Sequence, residues 1–289
     1  MGLKSIKIVL TFFFLWITTQ FDLEIENVLA YIFILSLGVL HGSNDIRLMR
    51  SLNKVKNNNL KRDLLQYMGV AVITFFVFIL QPIIGLWVFI LISGYHFGEQ
   101  YLADKISSSY GVKLILFIFY GLLIFFMLFY THFEDVSLII EDIAGLIIDV
   151  NYYKYAFLST LTIVTVLMLV LFSAKLLLVN IFEELTYILL FYILFMNSTL
   201  LWSFAIYFIV WHSIPSLRDQ IVKIYGGISM DSILKYIKES FLYWVFSVIG
   251  IYILSILTKD DIALFNLLFI ALLAAITLPH VIIMGKMHR

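Results

Sequence analysis

Six histidines, His41, His96, His132, His212, His280 and His288, are the residues of this sequence best equipped for chemistry. Imidazole is the commonest side-chain metal ligand. The chain has no cysteine, which excludes disulfides, thiolate metal sites, iron–sulfur clusters and a cysteine nucleophile. His41, His96, His212 and His280 lie within or at the ends of long apolar runs. Ionisable groups in such runs are costly in a bilayer and read as functional by default. Hydropathy and loop charge place these four at one depth, roughly one or two helical turns from the same surface. Four neutral imidazoles there could close round one divalent metal. Nitrogen-only ligation suits iron, zinc, copper or nickel, not magnesium or calcium. Singly, each would read as bonding a neighbouring helix or snorkelling to the interface; at matched depth, the metal site comes first. His132 falls on the opposite side and His288 in the tail, and neither is given a ligand role.

The neighbourhoods sharpen this reading. Asp45 follows His41 by four residues, on the same face of a helix, where it could hold an imidazole N–H. Equally, it could cap the interface or pair with Arg47. Gly94 and Gly98 flank His96 at the spacing that lets helices approach closely. Glu99 could support an imidazole, although a solvated helix end is the simpler reading. Pro215 is expected to end the helix just after His212. Pro279 is expected to kink the span next to His280, and broken helices in membranes usually line a site or cavity. Tyr95, Phe97, Trp202, Phe204 and Trp211 neighbour the histidines and are candidate lining for an apolar substrate. In a chain with 27 Phe and 17 Tyr, such residues more often face lipid or the core. No paired catalytic carboxylates, Ser-His-Asp arrangement or Gly-rich phosphate loop competes, and Glu183-Glu184 is explained by a cytoplasmic interface. No catalytic residue is expected beyond the metal ligands.

The elements that must position these residues are transmembrane helices. The chain has 289 residues, 63% hydrophobic and 13% charged, with mean hydropathy +1.04. Soluble domains are about half apolar and a quarter charged, so this composition points to a bilayer. Ten apolar runs of helical length occur, at about 6–20, 27–44, 64–80, 83–99, 112–131, 154–173, 180–197, 199–215, 239–257 and 262–284. We expect an all-α, polytopic transmembrane bundle of eight to ten spans, ten favoured, forming one integral-membrane domain over residues 1–289. Bases gather on alternate loops: Arg47, Arg50, Lys54, Lys56, Lys61 and Arg62 on one side, against Asp22, Glu24, Glu26, Glu134, Asp135, Asp260 and Asp261 on the other. The positive-inside rule then puts both termini in the cytoplasm and the chain, as a multi-pass protein, in the cell (cytoplasmic) membrane. The first run is expected to be an uncleaved span. Residues 136–150 have an amphipathic period and are expected on the outer interface. Asn53 to Arg62 reads as a polar loop. Zero net charge and no basic patch exclude nucleic acid as a partner.

Four motifs, His41-Gly42-x-x-Asp45, Tyr95-His96-Phe97-Gly98, Trp211-His212-Ser213 and Leu278-Pro279-His280, together resemble the bacterio-opsin-linked (Brp/Blh) family of membrane β-carotene 15,15'-dioxygenases. They come in that family's order and run over nearly the whole chain. The resemblance implies an Fe(II) enzyme that uses O2 to cleave β-carotene at its central double bond into two retinal molecules, with a functional link to a retinal-binding rhodopsin. In that family the third motif often carries a second histidine where this chain has Ser216. Either His280 completes the ligand set or iron keeps three histidines and an open position; the matched depth favours His280. Two other classes use intramembrane histidines. A b-type haem protein usually needs histidines at two depths, and a histidine-lined ion or proton transporter would want inverted repeats and midplane polar groups; neither pattern is found.

Overall fold

The computed structural model describes residues 3–52 and 60–287. His288 and most of the Asn53–Arg62 loop lie outside the described residues. Among these residues no strand forms, and Ile106 and Leu177 make an isolated antiparallel bridge. The helices are α1 (Leu3–Thr18), α2 (Leu23–Phe33), α3 (Asp45–Leu52), α4 (Leu60–Leu80), α5 (Pro82–Leu102), α6 (Tyr110–Thr131), α7 (Phe133–Ala144), α8 (Val150–Ser173), α9 (Ile181–Met196), α10 (Leu200–Ile206), α11 (Ile214–Tyr225), α12 (Met230–Leu257) and α13 (Ile262–Met287). π-helical segments follow α2 (Ile34–Gly38) and α10 (Tyr207–Ser213).

Seven helical stretches among the described residues are long and apolar enough to cross a membrane: α4, α5, α6, α8, the run from α10 through α11, α12 and α13. They are compatible with a multi-pass membrane protein. Large apolar side chains stand exposed along them, among them Leu65, Ile73, Phe246 and Leu257. Water does not tolerate such rows, whereas acyl chains cover them at no cost. The remaining apolar runs are shorter. α1 and α9 have 16 residues each, about 24 Å of helix against a hydrocarbon core of about 30 Å. The run 27–44 is helical only to residue 40: α2 passes at Phe33 into the π segment, and residues 41–44 form a turn.

Two further expectations are corrected. The amphipathic segment 136–150 is helical over Phe133–Ala144 only. Gly145, at φ 64°, ends it with a backbone conformation that glycine adopts without a Cβ penalty. Pro215 does not end its helix. It sits in the first turn of α11, which runs on to Tyr225. The helix is continuous from Leu200 to Tyr225, and the π segment Tyr207–Ser213 just before Pro215 already departs from the regular ladder that a proline would break.

The chain packs as two compact units. The first comprises the chain up to Ile34, Ser93–Ser137 and Ile148–Ile214; the second comprises Leu35–Ile92, Leu138–Ile147 and the chain from Pro215. In the first, α6 packs on α8 and α9, and α10 packs on α2, around buried Leu123, Phe191 and Trp202. A Cβ built on Gly98 would lie 1.9 Å from the Phe117 carbonyl oxygen, and one on Gly121 would lie 1.8 Å from that of Gly94. α5 and α6 therefore touch backbone to backbone, as the small-residue spacing predicts. Glu26, buried, accepts the Thr199 N–H at 2.9 Å and so satisfies a free donor where α10 begins. In the second unit α4 lies along α13, with Phe78, Ala271 and Ala274 between them. α3 lays Leu48 and Met49 on Ile283 and Met284.

Candidate metal centre

The first unit brings His96 and His212 together, their ring centroids 4.7 Å apart and nearly perpendicular at 80°. Both are buried. His96 rides on α5 at the turn fixed against α6 by Gly94 and Gly98. His212 sits in the π segment Tyr207–Ser213. A π turn carries an extra residue and rotates the residues after it, which is why such turns recur at functional sites. Phe97 packs with its ring 4.6 Å from that of His212. Phe208 stacks on His212 at 5.5 Å and 16°, and Phe204 stacks on Phe208 at 5.1 Å and 12°. An aromatic column thus leads to the imidazole. Phe208 was not singled out from sequence: one Phe among 27 carries no signal until the π turn fixes its direction.

The other candidates of this unit are placed differently. Glu99 is not a solvated helix end. It is 3% exposed and accepts the Tyr95 O–H at 2.5 Å, one helical turn back, which ties Tyr95 to the carboxylate. Trp211, the neighbour of His212 in the π segment, faces a different part of the unit. It packs on Tyr187 and Phe191 and donates to Thr11 Oγ1 at 2.9 Å. Trp202, fully buried, packs on Phe14 and Phe33. Both tryptophans are core residues of the unit. His132 is structural too, with Nε2 2.7 Å from the Ser198 carbonyl. Glu184 is buried: at 1% exposure it pairs with Lys105 Nζ at 2.9 Å and accepts the Tyr101 O–H at 2.7 Å. Glu183 pairs with Lys4.

The second unit brings His41 and His280 together, centroids 4.8 Å apart at 86°. His280 Nδ1 lies 2.7 Å from Asp45 Oδ1, both groups buried. Tyr67 donates its O–H to Asp45 Oδ2 at 3.0 Å. The partner of Asp45 is therefore His280, 235 residues away in sequence, and not His41. Residues 41–44 form a turn, so the four-residue helical spacing never brings Asp45 over His41. His41 instead turns Nδ1 to the Gly38 carbonyl. Pro279 is inside α13, which continues to Met287. A carboxylate or a backbone carbonyl on Nδ1 puts the ring proton there and leaves Nε2 as the lone-pair donor, the arrangement that supports metal-ligating histidines.

A sequence profile of the beta-carotene 15,15'-dioxygenase family matches residues 32–288. The chain belongs to that family. Membership in the beta-carotene 15,15'-dioxygenase family makes it an enzyme of the carotenoid dioxygenase type, and the matched stretch contains all six histidines. Comparisons with curated proteins and with solved structures find no match. In each unit a pair of buried histidines, His96 with His212 and His41 with His280, could contribute ligands to a metal ion. The donor set fits one: neutral nitrogen ligands, with the ring nitrogen of His41 that a metal does not need bonded to a backbone carbonyl.

Proposed function

We propose that this protein cleaves β-carotene with O2 at its central double bond, giving two retinal molecules, at one Fe(II) held by His41, His96, His212 and His280. Family membership supports the reaction. The observation that carries the site is the buried Asp45–His280 pair, because a carboxylate fixed by Tyr67 and set on Nδ1 is the support a ligating imidazole requires. Bound iron would supply the electron exchange that O2 needs to react with a closed-shell alkene, and one oxygen atom would end on each aldehyde.

The protein's own residues do the positioning. Asp45 and the Gly38 carbonyl orient two imidazoles so that each presents Nε2. Phe97 and Phe208 face His212 with hydrocarbon, which excludes water and offers flat surfaces to a polyene. Phe204 extends that surface. Tyr95, tied to Glu99, is a candidate for the same lining. Such holding selects the bond that reacts by placement rather than by acid–base chemistry.

An uncharged hydrocarbon dissolves in the bilayer, so the enzyme belongs there. We propose ten crossings of the cell membrane with both termini cytoplasmic; loop charge supports this, with α1, α2 and α9 as short crossings. We treat residues 1–289 as one integral-membrane domain, since each compact unit is assembled from three separated segments. Retinal would serve a rhodopsin in the same membrane. To test the site, the detergent-purified protein is analysed for metal and given β-carotene under 18O2. One iron per chain and one label in every retinal are expected. Unlabelled product, or activity in metal-free protein, would refute the proposal.

A further inference from the structure

The turn that carries His41 is held by a buried network from α11 and α12. Gln220, fully buried, donates Nε2–H to the His41 carbonyl at 2.8 Å and to Ser216 Oγ at 3.2 Å. Its Oε1 accepts the Tyr236 O–H at 2.8 Å. A primary amide has two hydrogens on nitrogen and an acceptor oxygen, and all three functions are used. Reversing the amide would set oxygen against the His41 carbonyl, so its direction is fixed. The Tyr236 carbonyl in turn accepts Asn44 Nδ2 at 3.1 Å. The turn is gripped at its first residue and at its last.

The backbone explains why such a grip is needed. In a continuing helix the His41 carbonyl would accept the Asp45 N–H; here that N–H goes to Gly42. The His41 carbonyl is left to a side chain, and its direction sets where the imidazole points. The same four residues lead into Asp45, which holds His280.

We infer that Gln220, oriented by Tyr236 and Ser216, is a positioning residue that fixes the backbone of His41 and thereby the metal-binding geometry of His41 and His280. This inference rests on the metal reading above. Its test uses the full-length protein in detergent, loaded with Co(II), and reads the visible cobalt spectrum and the rate of release to a chelator. Gln220→Leu should release cobalt at least about tenfold faster, with an altered spectrum, as losses of ligand-supporting groups do. Tyr236→Phe should release it roughly threefold faster, the effect of one neutral hydrogen bond. Tyr225→Phe removes a different bond between α11 and α12, the one to Glu239, and should release cobalt at the wild-type rate. Wild-type release and spectrum in Gln220→Leu would overturn the inference; should that variant not fold, the same result in Tyr236→Phe would do so. Equal acceleration by Tyr225→Phe would also overturn it, by showing general loosening. A wild-type protein that takes up no cobalt would refute the metal reading itself.

Discussion

Asp45→Asn is the substitution that bears most directly on the site. It keeps the shape of the side chain and removes the charge. The carboxylate serves two donors, His280 Nδ1 at 2.7 Å and the Tyr67 hydroxyl at 3.0 Å, in surroundings where Asp45 is 2% exposed and His280 3%. A hydrogen bond to a charged group contributes about 1.5–3 kcal/mol. At about 1.4 kcal/mol per tenfold, that is roughly 10- to 100-fold in metal affinity, the range that supporting groups of metal ligands usually give. The asparagine has one oxygen for two donors. If Tyr67 takes it, the amide N–H2 faces His280 Nδ1 and drives the ring proton to Nε2, where it blocks ligation. Tyr67→Phe removes only a neutral donor and should cost about 1 kcal/mol, or roughly fivefold. In Asp45→Asn/Tyr67→Phe the asparagine oxygen is released to His280, so the double variant should bind better than Asp45→Asn alone. The assay is competition for Fe(II) or Co(II) between detergent-purified protein and a chelator of known affinity. Asp45→Asn with wild-type affinity, in a folded protein, would refute the reasoning.

Other outcomes rest on the same kind of contact. Lys105→Met strands the Glu184 carboxylate at 1% exposure and should lower stability by about 3–5 kcal/mol; thermal unfolding in detergent checks this, and adding Glu184→Gln should recover part of the loss. Gly98→Ala puts a methyl 1.9 Å from the Phe117 carbonyl oxygen. It should cost about 1–3 kcal/mol or more, read as a lower midpoint or as loss of folded protein on gel filtration. His132→Ala should keep metal and activity while losing about 1 kcal/mol of stability with the bond to Ser198; loss of metal from this variant would contradict the proposed ligand set.

The helical class and the apolar runs were legible because composition and period are local signals, and the four histidines stood out as costly residues in hydrophobic stretches. Gly94 and Gly98 were legible for the same reason, since close helix approach leaves a spacing in the sequence. What escaped the sequence was long-range. Asp45 was assigned by helical spacing to His41, and the turn at 41–44 gave it to His280 instead. Gln220 reaches His41 across 179 residues, and no pattern in either segment announces it. Glu184 and Glu99 look like surface acids, yet Lys105 and Tyr101 hold the first in the interior and Tyr95 bonds the second. The π segments hid in uniformly apolar runs, where inserting one residue leaves the hydropathy unchanged but redirects Phe208 and His212.

The most direct test of the central claim is to express the full chain in a bacterium that accumulates β-carotene and to extract the pigments. The account predicts that the orange colour fades, that retinal appears, and that His96→Ala, expressed at the same level, leaves the β-carotene intact. Intact β-carotene beside folded, iron-loaded wild-type protein would contradict it.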